Sequence, residues 1–377
     1  MLQKIREELN NYFIERREEI DIALTSLLCS EHTIFLGNPG TAKSQLIRAI
    51  SSHFNAKYFE KLITRFTTED ELFGPLSIKE LKDNDRFVRK TDNYLPTAEI
   101  AFLDEVFKAN SSILNSLLTI INERIYHNGD RIEKVPLISL FSASNELPEE
   151  NELLAFYDRF LFRKVVRNIK AFDDLMKLLD LSEEYKPKTK MSIDELKNLQ
   201  KEVEKVDISS IKKDIINIKF ALENEGITIS DRRLKKSVKA VKSYAYLNGK
   251  DKADVNDLDI LRHIFWNEPD EFFKVSVEVF KISNHYEGFA LEQREILDNL
   301  VSEFKKIDKD RLGLGGIEYR KCLEILGKLN SMLLSLKNAK NKAIENEKPH
   351  NLIDDVIREV EGFKKYIENI LKGKLNE

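Results

Sequence analysis

The sequence predicts an α/β domain built on a parallel sheet, followed by an all-helical remainder. Three observations predict it. Short apolar runs alternate with helical periods over the first half of the chain. A glycine-rich turn separates the first run from a helix. The 13 glycines and 8 prolines in 377 residues are too few for a many-stranded all-β protein.

Residues 1–30 read as helical, with Leu2, Ile5, Leu9, Phe13, Ile20 and Ala23 near one face. Thr33-Ile34-Phe35-Leu36 is a short, partly β-branched apolar run. It stops at the turn signal Gly37-Asn38-Pro39-Gly40, and a helical period resumes from about Lys43 to His53. Strand, glycine-rich loop and helix in that order make a βα unit of a parallel sheet. Three further apolar runs, Glu99–Leu103, Pro136–Phe141 and Phe160–Val166, are expected to be strands buried on both faces. Helices are expected between them at about Ser111–Ile121 and Glu152–Tyr157, so the α/β domain is assigned residues 1–168.

Residues 169–268 carry apolar helical stripes broken by polar links such as Glu183–Lys190, and residues 269–377 read as long charged helices. Cys322, Leu326, Leu329, Leu333 and Leu336 step by four and three, as do Ile353, Val356, Val360, Phe363, Ile367 and Ile370. This is coiled-coil spacing, with turns expected at Arg311–Gly316 and Lys348-Pro349. Three antiparallel helices packed on each other satisfy it, and so does a coiled coil that takes a partner.

The chain has 61 Lys and Arg against 65 Asp and Glu, a net charge of −4, which gives no reason to expect nucleic acid or an anionic membrane as the partner. Two cysteines, Cys29 and Cys322, can form neither a disulfide framework nor a four-cysteine zinc site. The charged start Met1–Asn11 is not a secretory signal, and no apolar run is long enough to span a bilayer. The expectation is a cytoplasmic protein with no membrane insertion and with reduced thiols.

Gly37-Asn38-Pro39-Gly40-Thr41-Ala42-Lys43-Ser44 resembles the phosphate-binding pattern G-x-x-x-x-G-K-[ST]. Backbone N–H groups from Gly40 to Ser44 can converge on a β-phosphate at a helix start. Lys43 would bridge β- and γ-phosphate oxygens, and the Ser44 hydroxyl would ligate Mg2+. Ala42 stands where the pattern has its second glycine, and alanine is comfortable there only at negative φ.

Ile100-Ala101-Phe102-Leu103-Asp104-Glu105 is an apolar strand ending in two carboxylates. In an open α/β sheet that end faces the ligand crevice. Asp104 fits a metal-linked carboxylate, and Glu105 fits the group that polarises the attacking water. Phe141-Ser142-Ala143-Ser144-Asn145 ends another run with an amide, which can hold a water or a γ-phosphate oxygen.

Together with Asp158-Arg159-Phe160 and Ser230-Asp231-Arg232-Arg233, these motifs resemble the AAA+ ATPases, and within them the MoxR family. Ala42, the stretch Phe66–Ile78, Tyr157-Asp158-Arg159-Phe160 and Asp231-Arg232-Arg233 are similar to its RavA-like branch, over roughly residues 1–268. The resemblance implies a P-loop AAA+ domain, a helical lid and a hexameric ring that binds ATP with Mg2+ between subunits. Arg159 would be the finger reaching the neighbour's γ-phosphate, with Arg163 and Arg167 as competitors. Arg232 would be the second sensor, with Arg233 able to exchange roles with it. A protein client is implied, as is a partner carrying a von Willebrand A domain.

Arg86–Lys90 reads as one strand of an inserted hairpin, and Glu123–Lys134 as a second hairpin with Asn128-Gly129 at its tip. In helix-2-insert ATPases, which MoxR-type proteins resemble, such elements face the ring pore; ordinary surface hairpins are the alternative. The six histidines show no ligand spacing, and Trp266 reads as packing a helix end. The expected function is ATP hydrolysis that remodels a protein partner. The rivals are a nucleic-acid-stimulated motor and a scaffold whose ATP sets only its oligomeric state.

Overall fold

The computed structural model describes residues 1–377 apart from 149, 182–183, 309–311, 313–315 and 376–377, with backbone alone at 151–152 and 373–375. Two helices, α1 (Leu2–Tyr12) and α2 (Arg17–Cys29), precede β1 (Thr33–Leu36), and α3 (Lys43–Ser52) comes after the glycine-rich loop. A two-residue strand β2 (Phe54–Asn55) leads into β3 (Tyr58–Leu62), a strand the apolar pattern does not announce. Two short helices come next, α4 (Glu69–Phe73) and α5 (Ile78–Asn84), then β4 (Ile100–Asp104) and α6 (Ser111–Glu123). The hairpin β5 (Ile125–Asn128) and β6 (Arg131–Lys134), β7 (Ser139–Ser144), α7 (Asn151–Tyr157) and β8 (Phe162–Val165) complete the α/β part.

The five long strands form one parallel sheet in the order β3-β4-β7-β1-β8. Period two explains its two faces. Ile34 and Leu36 of β1, with Ala101 and Leu103 of β4, enter one apolar core; Phe35, with Ile100 and Phe102, enters the other. The first core is shared with α6 and the second with α1, α2 and α3, so the central strands are apolar on both sides.

The next segment holds α8 (Phe172–Leu179), the short strand β9 (Met191–Ser192) paired with β2, and α9 (Ile193–Glu204). Ser192 and Glu195 cap α9 reciprocally. Leu196 and Val203 of α9 join the core of α1 to α3, so this helix packs on the α/β part. Then come α10 (Lys212–Asn224) and α11 (Asp231–Leu247), a 3-10 segment at Val255–His263, and α12 (Phe272–Ser283). Trp266 is fully buried in this region, edge-on to Phe272 at 6.2 Å between centroids.

Three long helices close the chain: α13 (His285–Lys305), α14 (Ile317–Glu345) and α15 (Asn351–Leu375). They pack on each other through a core of their own that holds Cys322, Leu329, Leu336, Ile353, Val356, Val360 and Ile367. The heptad stripes thus close on one another as a three-helix bundle. The expected turn at Arg311–Gly316 lies mostly outside the described residues. Both cysteines are buried and free. Among the described residues no helix is long and apolar enough to cross a membrane.

The hairpin at Asn128-Gly129 forms, with Gly129 at φ +63°. The expected strand at Arg86–Lys90 does not. This segment makes a single antiparallel bridge, Leu76 to Arg89, and is stapled to the hairpin instead. Arg89 N–H donates to Asn128 Oδ1 at 2.6 Å, Asn128 Nδ2 donates back to Arg89 O at 3.1 Å, and a Cβ on Gly129 would lie 2.4 Å from Phe87 O. The asparagine side chain takes the backbone bonds that a second ladder would have used.

Candidate active site

The parallel register sets the site. Leu36 pairs with Ser144, and Asp104 pairs with Ala143. The ends of β1, β4 and β7 therefore lie side by side, and Gly37, Glu105 and Asn145 are the next residues out. Gly37 N–H donates to Ser144 O at 3.0 Å. Gly37 sits at φ +143°, and a Cβ there would meet Val166 O at 2.4 Å, so only glycine passes between β1 and the end of β8.

The loop then turns through Gly40 at φ +81° into Ala42 at φ +63°. This corrects the expectation of a negative φ at Ala42: the alanine itself is left-handed. Such a conformation costs an L-residue about 1–2 kcal/mol. The start of α3 holds it in place, because Ala42 O accepts the first helical bond, from Leu46 N–H at 2.9 Å. The N–H groups of residues 43–45 stay outside the helical ladder, the arrangement that receives an anion at a helix start. Asn38, Pro39 and Gly40 form the exposed rim, and Thr41 is buried with its hydroxyl donating to Asn38 O at 3.0 Å.

Lys43 Nζ donates to Gly37 O at 2.7 Å and Asn38 O at 2.8 Å, so the ammonium lies over the loop it belongs to. Burial pulls its pKa below the ordinary lysine value, against the opposing pull of Asp104 and Glu105. Ser44 Oγ donates to Asp104 Oδ2 at 3.1 Å, and Asp104 Oδ1 accepts Glu105 N–H at 3.1 Å. A hydroxyl and a carboxylate in contact at the loop's edge are the hard oxygen pair that suits Mg2+. Glu105 also sits at positive φ, +54°, and its carboxylate pairs with Lys108 at 3.2 Å. Backbone strain of this kind clusters at functional positions. Asn145 is exposed one step beyond β7.

The arginines lie elsewhere. Arg159 pairs with Asp158 at 3.0 Å, and its buried Nε has no hydrogen-bond partner. Asp158 also accepts from Arg233 at 3.0 Å. Burial alone would raise the Asp158 carboxyl, but Arg233, Arg163 and Arg159 outweigh it and hold the carboxyl below its usual range.

Arg163, a competitor for the finger role, is buried. Its guanidinium donates to Trp266 O at 2.6 Å and lies 4.0 Å from the Tyr157 ring centroid. Arg233 is buried too, donating to Ile264 O at 2.9 Å and Leu161 O at 3.3 Å. Neighbours on a helix point about 100° apart. With Ser230 capping α11, Arg233 turns inward while Arg232 is exposed and donates to Asn122 Oδ1 at 2.9 Å. Arg167 pairs with Asp298 of α13.

Arg159 and Arg232 face the amino edge of the sheet. Arg233 bonds the carbonyl just before β8, and Lys236, three positions on, pairs with Glu31 just before β1. The phosphate loop leaves the other end of β1. Four residues of strand, about 13 Å, separate the two edges. The structure therefore brings together Gly37–Ser44, Asp104, Glu105 and Asn145, and it groups Arg159 with Arg232 apart from them. It also presents Arg16, which no motif or period singles out: a buried side chain bonded to the loop at Thr41 O. An arginine in a polar turn between helical periods carries no signal of that contact.

Comparison with known proteins agrees with this geometry. Residues 1–206 match the sequence model described as the MoxR domain in the MoxR-vWA-beta-propeller ternary systems, and residues 210–279 match an AAA lid domain. A Methanocaldococcus jannaschii protein named as uncharacterized is 79% identical over 99% of this chain and 100% of its own length. A second protein of that organism, named likewise, is 65% identical over 98% of this chain and 97% of its own. A structural protein of the Acidianus two-tailed virus is 25% identical over 74% of this chain and 44% of its own length. A crystal structure from Cytophaga hutchinsonii, provisionally titled an ATPase, superposes with a TM-score of 0.60 at 19% identity, covering 74% of this chain and 93% of that one. The parallel sheet with its phosphate loop, the paired acids and the lid helices thus have one common explanation: this chain belongs to the MoxR family of AAA+ ATPases.

Proposed function

We propose that this protein hydrolyses Mg-ATP in a ring of identical subunits and uses the turnover to remodel or assemble protein partners. The observation that carries this reading is the division of the site. The phosphate loop and acids lie at one sheet edge, and Arg159 and Arg232 lie at the other. A second copy, most simply in a closed hexamer, would bring its Arg159 to the first copy's phosphates.

The roles come from the groups present. N–H groups from Gly40 to Ser44 hold the β-phosphate, and Lys43 leaves the Gly37 and Asn38 carbonyls to meet β- and γ-phosphate oxygens. Ser44 and Asp104 hold Mg2+, which supplies charge neutralisation at the phosphates. Glu105 takes the proton of the attacking water, and Asn145 orients that water. Arg159, whose planar guanidinium never loses its charge, stabilises the spreading negative charge. Arg232, the exposed arginine of its pair, serves the same neighbouring pocket as second sensor. The RavA-like motifs support the same assignments.

We divide the chain into a nucleotide-binding unit at 1–168, a lid at 169–268 whose first long helix, α9, packs back on that unit, and a partner-directed bundle at 269–377. The description of the matching family supports proteins with a von Willebrand A domain or a β-propeller as partners. The test is Glu105→Gln. It should keep Mg-ATP binding, lower turnover by about a hundredfold or more, and retain the client in a pull-down with ATP. Turnover at the wild-type rate removes the role of Glu105.

A further inference from the structure

Arg16 lies in the turn between α1 and α2 and is almost fully buried, with 6% exposure. Its guanidinium spans three carbonyls from three parts of the chain. Nε donates to Thr41 O at 3.3 Å, Nη1 to Glu15 O at 2.8 Å and Nη2 to Arg167 O at 3.0 Å. The first carbonyl is in the phosphate loop, the second is in its own turn, and the third lies just beyond β8. Only arginine offers five donors in a fixed fork that can serve three such acceptors at once.

The contact at Thr41 has a directional consequence. A trans peptide is planar, so the C=O of Thr41 and the N–H of Ala42 point opposite ways. With the carbonyl held by Arg16, the Ala42 N–H is turned toward the open side of the loop, where the N–H groups of residues 43–45 also lie outside the helical ladder. That peptide precedes Ala42 in the left-handed conformation, which an L-residue leaves readily unless held. The turn carrying Arg16 is itself anchored. Glu15 accepts the N–H groups of Lys170 at 3.3 Å and Ala171 at 3.2 Å, and Arg17 donates to Asn351 at the start of α15.

We propose that Arg16 is a positioning residue of the phosphate site: it fixes the Thr41–Ala42 peptide plane so that the Ala42 N–H is aimed at the β-phosphate of the bound nucleotide. This rests on the ATPase reading above. It makes Arg16 responsible for one amide-to-phosphate bond and for nothing at the base, ribose or α-phosphate.

The experiment is calorimetric titration of the full chain with Mg-ADP, and with AMP by competition, for wild type and Arg16→Lys, alongside nucleotide-free melting. Lysine keeps the charge and loses the fork. The expected result is ADP affinity lowered about tenfold, the net worth of one hydrogen bond to a charged group, with AMP affinity within about threefold of wild type. Equal losses for ADP and AMP, or no loss for ADP, overturn the proposal. Absence of ADP binding in the wild-type chain overturns the ATPase reading instead. If Arg16→Lys does not fold, the same ADP-to-AMP ratio is read on Arg16→Gln, whose amide still reaches one carbonyl.

Discussion

Asp158 accepts a 3.0 Å hydrogen bond from Arg233, 75 positions later in the chain. The residue next to the proposed finger is thereby tied to the first turn of lid helix α11. Arg159 shares that carboxylate, so a lid movement that shifts Arg233 must also change what holds Arg159. The link is a contiguous ionic contact between two elements, one physical route by which a motion passes from one to the other.

The buried Arg163 and the half-buried Arg159 should separate experimentally. Arg159→Ala is expected to melt within a few degrees of wild type and to lose about a thousandfold in turnover. Arg163→Ala should lose about 2–4 kcal/mol of stability, because it empties a buried site and strands the Trp266 carbonyl that Arg163 now serves. Denaturant midpoints and steady-state rates on the two variants check both halves. Equal melting with intact turnover in Arg159→Ala would return Arg159 to the surface ion pairs.

Division of the site between sheet edges predicts complementation. Lys43→Ala chains lack the phosphate lysine but carry Arg159, and Arg159→Ala chains have the reverse defect. Mixed in equal amounts and allowed to exchange, about a quarter of the interfaces should pair an intact loop with an intact finger. Turnover should reappear to about that fraction of wild type. A mixture as inactive as its parents would mean that each chain completes its own pocket.

Ala42 is strained by its left-handed backbone, and Ala42→Gly should relieve it. Glycine loses more entropy on folding than alanine, which offsets part of the relief. The expected outcome is a net gain of about 0.5–1 kcal/mol in the nucleotide-free protein, read from the denaturant midpoint. A loss of stability would mean that the loop favours alanine for a reason other than backbone geometry.

Glu287 of α13 is buried, and its Oε1 accepts Leu352 N–H at 3.0 Å. Burial, with Asp259 and Glu18 adding and Arg262 opposing, pushes its carboxyl up to about 7. An unfolded glutamate titrates near about 4.3. The native state therefore binds this proton more tightly, and its stabilising effect is complete at low pH. It is lost as pH rises from about 4.3 through about 7. Glu287→Gln keeps an acceptor for Leu352 and cannot titrate, so its stability should fall less than wild type between pH 5 and pH 8. Parallel unfolding profiles for the two proteins would show that Glu287 is not the group responsible.

Much of the site is legible in the chain because its parts are local. The loop at Gly37–Ser44, the acids at Asp104-Glu105 and the amide at Asn145 each end an apolar run, and a parallel sheet aligns such ends without further instruction. Strand β3 is hidden because an edge strand carrying Glu60 and Lys61 has no continuous apolar signal. Arg86–Lys90 carries an apolar pair between charges, as a short strand can, without being one, because its backbone partners are an asparagine side chain and one bridge. Choosing among Arg159, Arg163, Arg232 and Arg233 needs the fold. All four are polar letters in short motifs, and only packing separates the two that are buried from the two that are not. Arg16 is beyond reach for the same reason, since its acceptors at Thr41 and Arg167 are backbone oxygens far away in sequence.

The packing of Trp266 gives the molecule a built-in optical probe. It is the chain's single indole, enclosed against Phe272, and its carbonyl is gripped by Arg163, which in turn stacks on Tyr157 two positions before Arg159. Its emission should respond when that junction rearranges, with no dye attached. Both native thiols are buried, so a cysteine introduced on the surface would take an acceptor label selectively, and energy transfer from the indole could track the lid in real time.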